Sequence, residues 1–309
     1  MKFHHFNKLL ITLSLTILFS SCKTENKKTD GKLNIVTTTS MITDLVTNIG
    51  GDVINIQGLM GSGVDPHLYK ASEGDVSKLA NADIIFYNGI HLEGKLVDVF
   101  EKMEHQNIKT VAIADAIDKS TLIGSSLFQG NYDPHIWFNI DYWEQATQFI
   151  VNKLSEVLPE HKSAFEANGV AYLEKLKALK TKIVSIIDTL SEDKRVLVTA
   201  HDAFSYFGRA FGFEVIGLQG LSTATEAGVQ DVQKLAAFII EKNVKAIFVE
   251  SSVPIRTIEA LQAAVNSKGH DVAIGGTLYS DALGNAGTVE GTYIGMFEYN
   301  VNTIVNALK

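Results

Sequence analysis

From Leu33 onward, short apolar runs alternate with stretches of helical periodicity, and this alternation constrains the fold more than any other feature. Runs of this length that are apolar throughout are typical of strands buried on both faces. Strands that alternate with helices form parallel sheets covered by those helices. The sequence therefore predicts an α/β fold. The predicted strands are Leu33–Thr37, Val53–Gln57, Ile84–Tyr87, Thr110–Ile113, Val196–Thr199, Glu214–Ile216, Ala246–Val249 and Val272–Ile274.

A longer helical pattern separates two series of such strands. Between residues 159 and 190, apolar residues such as Leu176 and Ile183 recur at steps of three or four, which predicts one long amphipathic helix. One interpretation is a second-layer helix inside a single large domain. The unusual length and the position between two βα series favour a connecting helix, so we predict lobes at residues 33–158 and 191–309.

The first 21 residues have the pattern of an export signal. A basic or titratable start precedes the apolar run Leu9–Phe19, which is too short to span a membrane. The run ends in Phe-Ser-Ser-Cys, which resembles the lipobox of bacterial lipoproteins, so we expect lipidation of Cys22. The alternative is an ordinary signal peptide with an incidental Cys. The polar stretch 22–32 predicts a flexible tether.

The formal net charge of the chain is −8 at pH 7. Nucleic-acid-binding domains are commonly basic, so we expect no nucleic-acid partner. The single cysteine excludes an intramolecular disulfide. No glycine-rich phosphate-binding motif follows a predicted strand, which excludes an ATP site of that type.

Two segments repeat the form Asp-Pro-His-apolar-aromatic. They are Asp65–Tyr69 and Asp133–Trp137, and they use two of the four prolines in the chain. Each follows a predicted strand and precedes a helix, which places it at a strand's carboxyl end, where open α/β sheets bind ligands. Because proline restricts the loop, His67 and His135 are held in place, and the Asp that opens each segment can accept the histidine's second N–H.

Two further candidates, His201 and Asp281, lie beyond predicted strands of the second half. With His67 and His135 they supply three imidazoles and one carboxylate, a donor set that suits zinc or manganese. Each residue alone is more often a surface or hydrogen-bonding group, and only the set of four indicates a metal site. Glu250 ends another predicted strand and is either an outer acceptor for the site or a structural carboxylate.

These segments, together with Tyr87–Glu93 and Gly291–Tyr293, resemble the TroA-like zinc/manganese solute-binding proteins. The likeness runs from about Leu33 to the C-terminus. It implies two βα lobes with parallel sheets, joined by a long rigid α-helix, with one zinc or manganese ion in the cleft between the lobes. By position, the implied ligands are His67 and His135 of the N-terminal lobe and His201 and Asp281 of the C-terminal lobe.

The third ligand position separates branches of this family. Manganese-selective members commonly carry Glu there, whereas this chain has His201. Many zinc members carry a His-rich acidic loop before the second ligand, whereas Asp118–Tyr132 contains no histidine. The resemblance therefore leaves both metals open.

The resemblance implies a receptor in the bacterial cell envelope, lipid-anchored to a membrane, that captures a divalent metal and delivers it to an ABC permease with a cytoplasmic ATPase. We expect a monomer that is not an enzyme. The alternatives are a surface adhesin that binds metal and a metallohydrolase. A hydrolase needs an open metal position and a general base, for which Asp202 and Glu250 are the only obvious candidates.

Overall fold

Four short strands form the parallel sheet of the first half. The computed structural model describes residues 31–126, 128 and 131–309, and in it these strands lie in the order β2-β1-β3-β4. The two central strands are almost wholly buried, which explains their continuous apolar sequence. The strands are β1 (Leu33–Thr37), β2 (Ile54–Gly58), β3 (Ile84–Tyr87) and β4 (Lys109–Ala112).

Helices cover the connections between these strands. The first, α1 (Ser40–Gly50), buries one apolar face and is followed by Gly51 at φ 54°, a conformation that glycine adopts readily. Ser72 and Asp75 form a capping box at the start of α2, with the Ser72 side chain accepting from the Asp75 amide at 3.2 Å. The other helices of this half are α2 (Glu73–Ala80), α3 (Val97–His105) and α4 (Ile140–Val157).

The predicted long helix is present as α5 (Lys162–Ile187), after a single 3-10 turn at Pro159–His161. Its buried residues recur at helical spacing and contact α1 and α4 on one side and the last helix, α9 (Tyr293–Leu308), on the other. The helix therefore packs against elements of both halves. The lobe boundaries predicted on either side of it remain a prediction.

The second half contains two parallel strand pairs. The strands β5 (Val196–His201) and β6 (Glu214–Gln219) pair with each other, as do β7 (Ala246–Glu250) and β8 (Ala273–Leu278). The strand β5 also lies beside β7, so the carboxyl ends of both strands meet at one edge. The remaining helices are α6 (Ser205–Phe211), α7 (Val229–Glu241), α8 (Arg256–Asn266) and α9.

Several strands extend beyond their predicted ends. The prediction for β8 ends at Ile274, directly before Gly275 and Gly276, and glycine is a poor strand former. In the structure the strand continues to Leu278, and a Cβ at Gly275 would lie 2.7 Å from the nearest atoms of Phe248 and Ala307. Glycine is therefore required there by close packing, which local sequence preference does not reveal.

The largest hydrophobic cluster joins the two halves. It includes Trp143 of α4, Leu176 of α5 and Phe297 of α9, all nearly inaccessible to solvent. The fold is thus two α/β lobes joined by a long helix, as predicted. None of the helices described is both long and apolar enough to cross a membrane.

Candidate metal centre

The three histidines and the aspartate predicted as ligands lie together. One donor atom from each of His67, His135, His201 and Asp281 falls within 4.8 Å of all the others. His67 Nε2 is 3.3 Å from His135 Nε2, and His201 Nε2 is 3.3 Å from Asp281 Oδ2. All four side chains are buried, with exposures of 0–4%. Among the described residues this is the one such group of metal-ligating side chains.

The strands bring these four side chains to one place from two directions. His67 lies in the loop after β2, and His135 lies between β4 and α4. His201 is the last residue of β5, and Asp281 follows β8. Because every strand pairing is parallel, each half presents its strands' carboxyl ends at one edge, and the site lies between those edges.

His135 is oriented by the Asp two residues before it. Asp133 Oδ1 accepts from the His135 backbone N–H at 2.9 Å and lies 2.7 Å from the ring Nδ1. At this distance the carboxylate accepts a hydrogen bond from Nδ1, so Nδ1 carries the hydrogen. In the neutral ring, Nε2 then presents a lone pair. The imidazole is thereby fixed in the tautomer that a metal ion needs.

His67 is held differently, although its loop repeats the same motif. Asp65 Oδ1 accepts from the His67 backbone N–H at 2.8 Å, and Asp65 Oδ2 accepts from Thr223 Oγ1 at 2.5 Å. The expectation that Asp65 accepts the ring N–H of His67 is therefore wrong. Its second oxygen is engaged by a residue of the other half, which the motif does not encode.

Glu250 at the end of β7 orients His201 at the end of β5. Glu250 Oε1 accepts from the His201 backbone N–H at 2.8 Å, and Oε2 lies 2.6 Å from His201 Nδ1. Glu250 thus holds the His201 backbone from a neighbouring strand, as Asp133 holds the His135 backbone from the same loop, and it places a carboxylate charge beside the ring. Gly217 of β6 permits the arrangement, because a Cβ there would lie 2.3–2.4 Å from backbone atoms of His201 and Asp202.

Burial and mutual charge determine the protonation of the cluster. Burial lowers the pKa of His67 to about 3, with Asp281 opposing it. Burial also acts to lower the pKa of His201, but Glu250 and Asp281 together raise it well above its ordinary value. Burial opposes ionisation of Asp281, yet the imidazoles, His201 foremost, hold its pKa well below the usual range. Asp281 is therefore a carboxylate that faces three imidazoles.

Unsatisfied polar atoms mark the cluster as suited to a cation. His201 Nε2 and both oxygens of Asp281 are buried without a hydrogen-bond partner among the described residues. Buried polar groups are ordinarily paired, because an unpaired one loses its hydration without compensation. Three imidazole nitrogens and one carboxylate match the ligands of zinc, and carboxylate oxygen also suits manganese.

Other side chains support the site, two of them across the cleft and one within the first half, and sequence reasoning did not assign them this role. Trp137 Nε1 donates to Ser280 O at 2.9 Å, next to Asp281. Tyr206 OH donates to Asp133 O at 2.9 Å, and Asn88 Nδ2 donates to Pro134 O at 2.9 Å. These side chains donate to backbone carbonyl groups, which every residue has, so the partners cannot be recognised from the sequence. The only sequence signal for their role was that they lie near the ligand motifs.

The remaining candidates lie apart from the cluster. His91, within the segment Tyr87–Glu93, is outside the ligand group but lines a cavity that His67 also lines. Asp202 follows His201 directly and donates no atom to the group; burial raises its pKa. Cys22, predicted to be lipidated, and the predicted signal at 1–21 lie outside the described residues.

A buried cluster of metal-ligating side chains between two lobes is the arrangement of a protein that encloses a solute, and the fold with this cluster points to the class of metal-binding solute receptors. Residues 35–307 match the family described as ZnuA, zinc-uptake complex component A, periplasmic. The chain belongs to this family, and the resemblance inferred from the motifs is confirmed.

Characterised relatives cover nearly the whole chain. The manganese-binding lipoprotein MntA of Bacillus subtilis (strain 168) is 48% identical over 300 residues, covering 96% of this chain and 97% of MntA. The zinc-binding protein TroA of Treponema pallidum (strain Nichols) is 48% identical over 279 residues, 90% of each chain. The solved structure of periplasmic zinc-binding TroA has a TM-score of 0.87 and 47% identity, covering 90% of this chain and 99% of that one.

Proposed function

We propose that this protein captures one divalent transition-metal ion, zinc or manganese, at His67, His135, His201 and Asp281. The observation that carries the proposal is the buried cluster in which Asp281 and His201 Nε2 have no hydrogen-bond partner in the described chain. Four protein ligands fill a tetrahedral shell, whereas catalytic zinc sites keep a position open. The arrangement therefore favours holding a metal over metal-assisted hydrolysis.

Delivery to an ABC permease, driven by a cytoplasmic ATPase, completes the proposed function. Membership of the zinc-uptake family and the relatives' names support import as the purpose of capture. MntA is named a lipoprotein, and Cys22 ends a lipobox-like segment in this chain. We therefore propose a monomeric receptor anchored by lipid at Cys22 to the outside of a bacterial membrane.

The donor set favours zinc over manganese in vitro. Imidazole is a softer ligand than carboxylate, and the general affinity order of divalent metals also places zinc above manganese. The relatives' names include both metals, which agrees with a site that accommodates either. Manganese transport in the cell then depends on how little free zinc is available there.

The test combines binding with uptake. Purified protein titrated with zinc, then with manganese in competition, should bind one ion per chain with zinc the tighter. A strain lacking the protein should take up less zinc or manganese, and wild-type protein should restore uptake. Absence of stoichiometric binding sinks the capture proposal, whereas binding without an uptake defect favours an adhesin. Turnover of generic ester or phosphate substrates by the zinc-loaded protein would favour the hydrolase.

A further inference from the structure

Asp65 ties the loop of a proposed ligand to the opposite half of the molecule. One carboxylate oxygen accepts from the His67 backbone, and the other accepts from the hydroxyl of Thr223, 158 residues along the chain. Thr223 lies in the irregular segment 220–228, between β6 and α7. Its exposure is 9%, whereas its neighbours Ala224 and Thr225 are exposed, so Thr223 is the inward-facing residue of this part of the segment.

The segment 220–228 lies beside the most accessible of the four proposed ligands. A cavity of about 410 Å³ is lined by His67 and by Ser222, Ala224 and Thr225 of the segment. None of the other three proposed ligands lines this cavity. A second cavity of about 560 Å³ is also lined by residues of the segment, Ser222 and Thr225 among them. The residues that flank the buried Thr223 thus border open space.

We propose that the hydrogen bond from Thr223 to Asp65 is a clasp that retains the metal, and that the cavity beside His67 is the route by which the ion enters and leaves. This inference rests on the proposed function. Thr223 acts as a positioning residue: it holds Asp65, and Asp65 holds the backbone of His67. The segment 220–228 forms the movable wall of the route.

The contrast with His135 shows why release begins at His67. Asp133 places one oxygen on both the backbone and the ring of its own histidine. Asp65 makes no such ring contact and depends on Thr223 for its second partner. A hydroxyl bonded to a carboxylate is a charge-assisted pair, stronger than a neutral one. Breaking this pair loosens a single ligand loop and leaves the other three side chains in place.

The test is the rate of zinc release. Zinc-loaded protein is mixed with excess chelator in a stopped-flow instrument. Thr223→Val keeps the side-chain shape and removes the donor, so release should accelerate about tenfold, the size of effect that a charge-assisted hydrogen bond produces. The association rate should change less than twofold. Thr223→Ser retains the hydroxyl and should restore near wild-type release, and Thr181→Val makes the same change at an exposed position of α5, away from the cavity, and should have no effect.

Wild-type release from Thr223→Val would overturn the clasp, as would equal acceleration by Thr181→Val. Thr223→Ala provides a second donor-free variant if valine prevents folding, and it should accelerate release equally. Wild-type protein that binds no zinc at all would refute the proposed function itself, whereas normal binding with unchanged release refutes only the clasp.

Discussion

The two halves of the molecule place their proposed ligands by different means. In the first half, each of the two proposed ligand histidines follows an Asp by two residues. The Asp side chain accepts a hydrogen bond from the histidine's backbone N–H within one short loop. In the second half, His201 depends on Glu250, which lies 49 residues away on the adjacent strand β7. One arrangement is encoded locally, and the other exists only when two strands lie side by side.

Within the first half, the two copies of the motif have also diverged. Asp133 fixes the ring of His135, whereas Asp65 fixes only the backbone of His67 and reaches across to Thr223. The same Asp-Pro-His sequence therefore holds both the backbone and the ring of the histidine in one loop, and only its backbone in the other. The comparison teaches that a repeated sequence motif determines a backbone turn, while the surroundings determine what its carboxylate does.

The largest expected effect comes from removing a ligand in either half. His135→Ala and His201→Ala should each lower zinc affinity by more than the roughly 100-fold upper range for losing an outer partner. Each substitution removes one of the four side chains proposed to bind the metal, so the loss of zinc affinity should not depend on how that histidine is positioned. Calorimetric titration measures this, with exposed His105→Ala as the control. Near wild-type affinity in either variant would remove that residue from the ligand set.

A smaller loss is expected when the distant support of the second half is weakened. Glu250→Gln should reduce zinc affinity about 10–100-fold, because a neutral amide holds the His201 ring less firmly than a carboxylate. The same titration applies, with exposed Glu241→Gln as the control. If Glu250→Gln lowers zinc affinity less than Asp133→Asn does, then the support that His201 receives from a distant residue is not more critical than the support that His135 receives within its own loop.

The divergence of the two aspartates predicts unequal effects from one substitution. Asp133→Asn should weaken zinc binding towards the lower end of about 10–100-fold, because the proline-restricted loop still limits His135. Asp65→Asn should weaken it less, since no hydrogen bond joins Asp65 to the His67 ring. The amide oxygen can still accept from the backbone, and the amide N–H can donate to the Thr223 hydroxyl in place of the bond that is lost. Equal losses in parallel titrations would mean that the two loops are equivalent.

The last expected effect is on stability rather than on metal affinity, and it tests the strand packing behind His201. Gly217→Ala places a Cβ against the His201–Asp202 backbone and should destabilise the protein by about 1–3 kcal/mol. Gly220→Ala is the matched control, because a Cβ there meets no atom within 4 Å. Urea unfolding of both variants gives the difference between their free energies of unfolding. Equal stability of the two variants would show that β5 moves to accommodate the added Cβ. That result would contradict a site that contacts between strands hold in place.

The order of the elements and the residue types of the cluster follow from local patterns in the sequence. β1 and β3 have the bounds predicted from their apolar runs, and α5 falls within the predicted helical stretch. These features are local, because periodicity records which face of each element is buried. The four proposed ligands were identified because each lies beyond a strand, and parallel strands bring such positions to one edge.

How those ligands are held depends on contacts between distant parts of the fold. The pairing of His201 with Glu250 requires β5 to lie beside β7, and the contact of Asp65 with Thr223 spans 158 residues. The glycines of β8 and Gly217 are fitted to neighbours that are distant in sequence. Such contacts depend on which elements become adjacent and on side-chain orientation. Neither follows from the spacing of residues along the chain, because both are fixed by packing between distant segments.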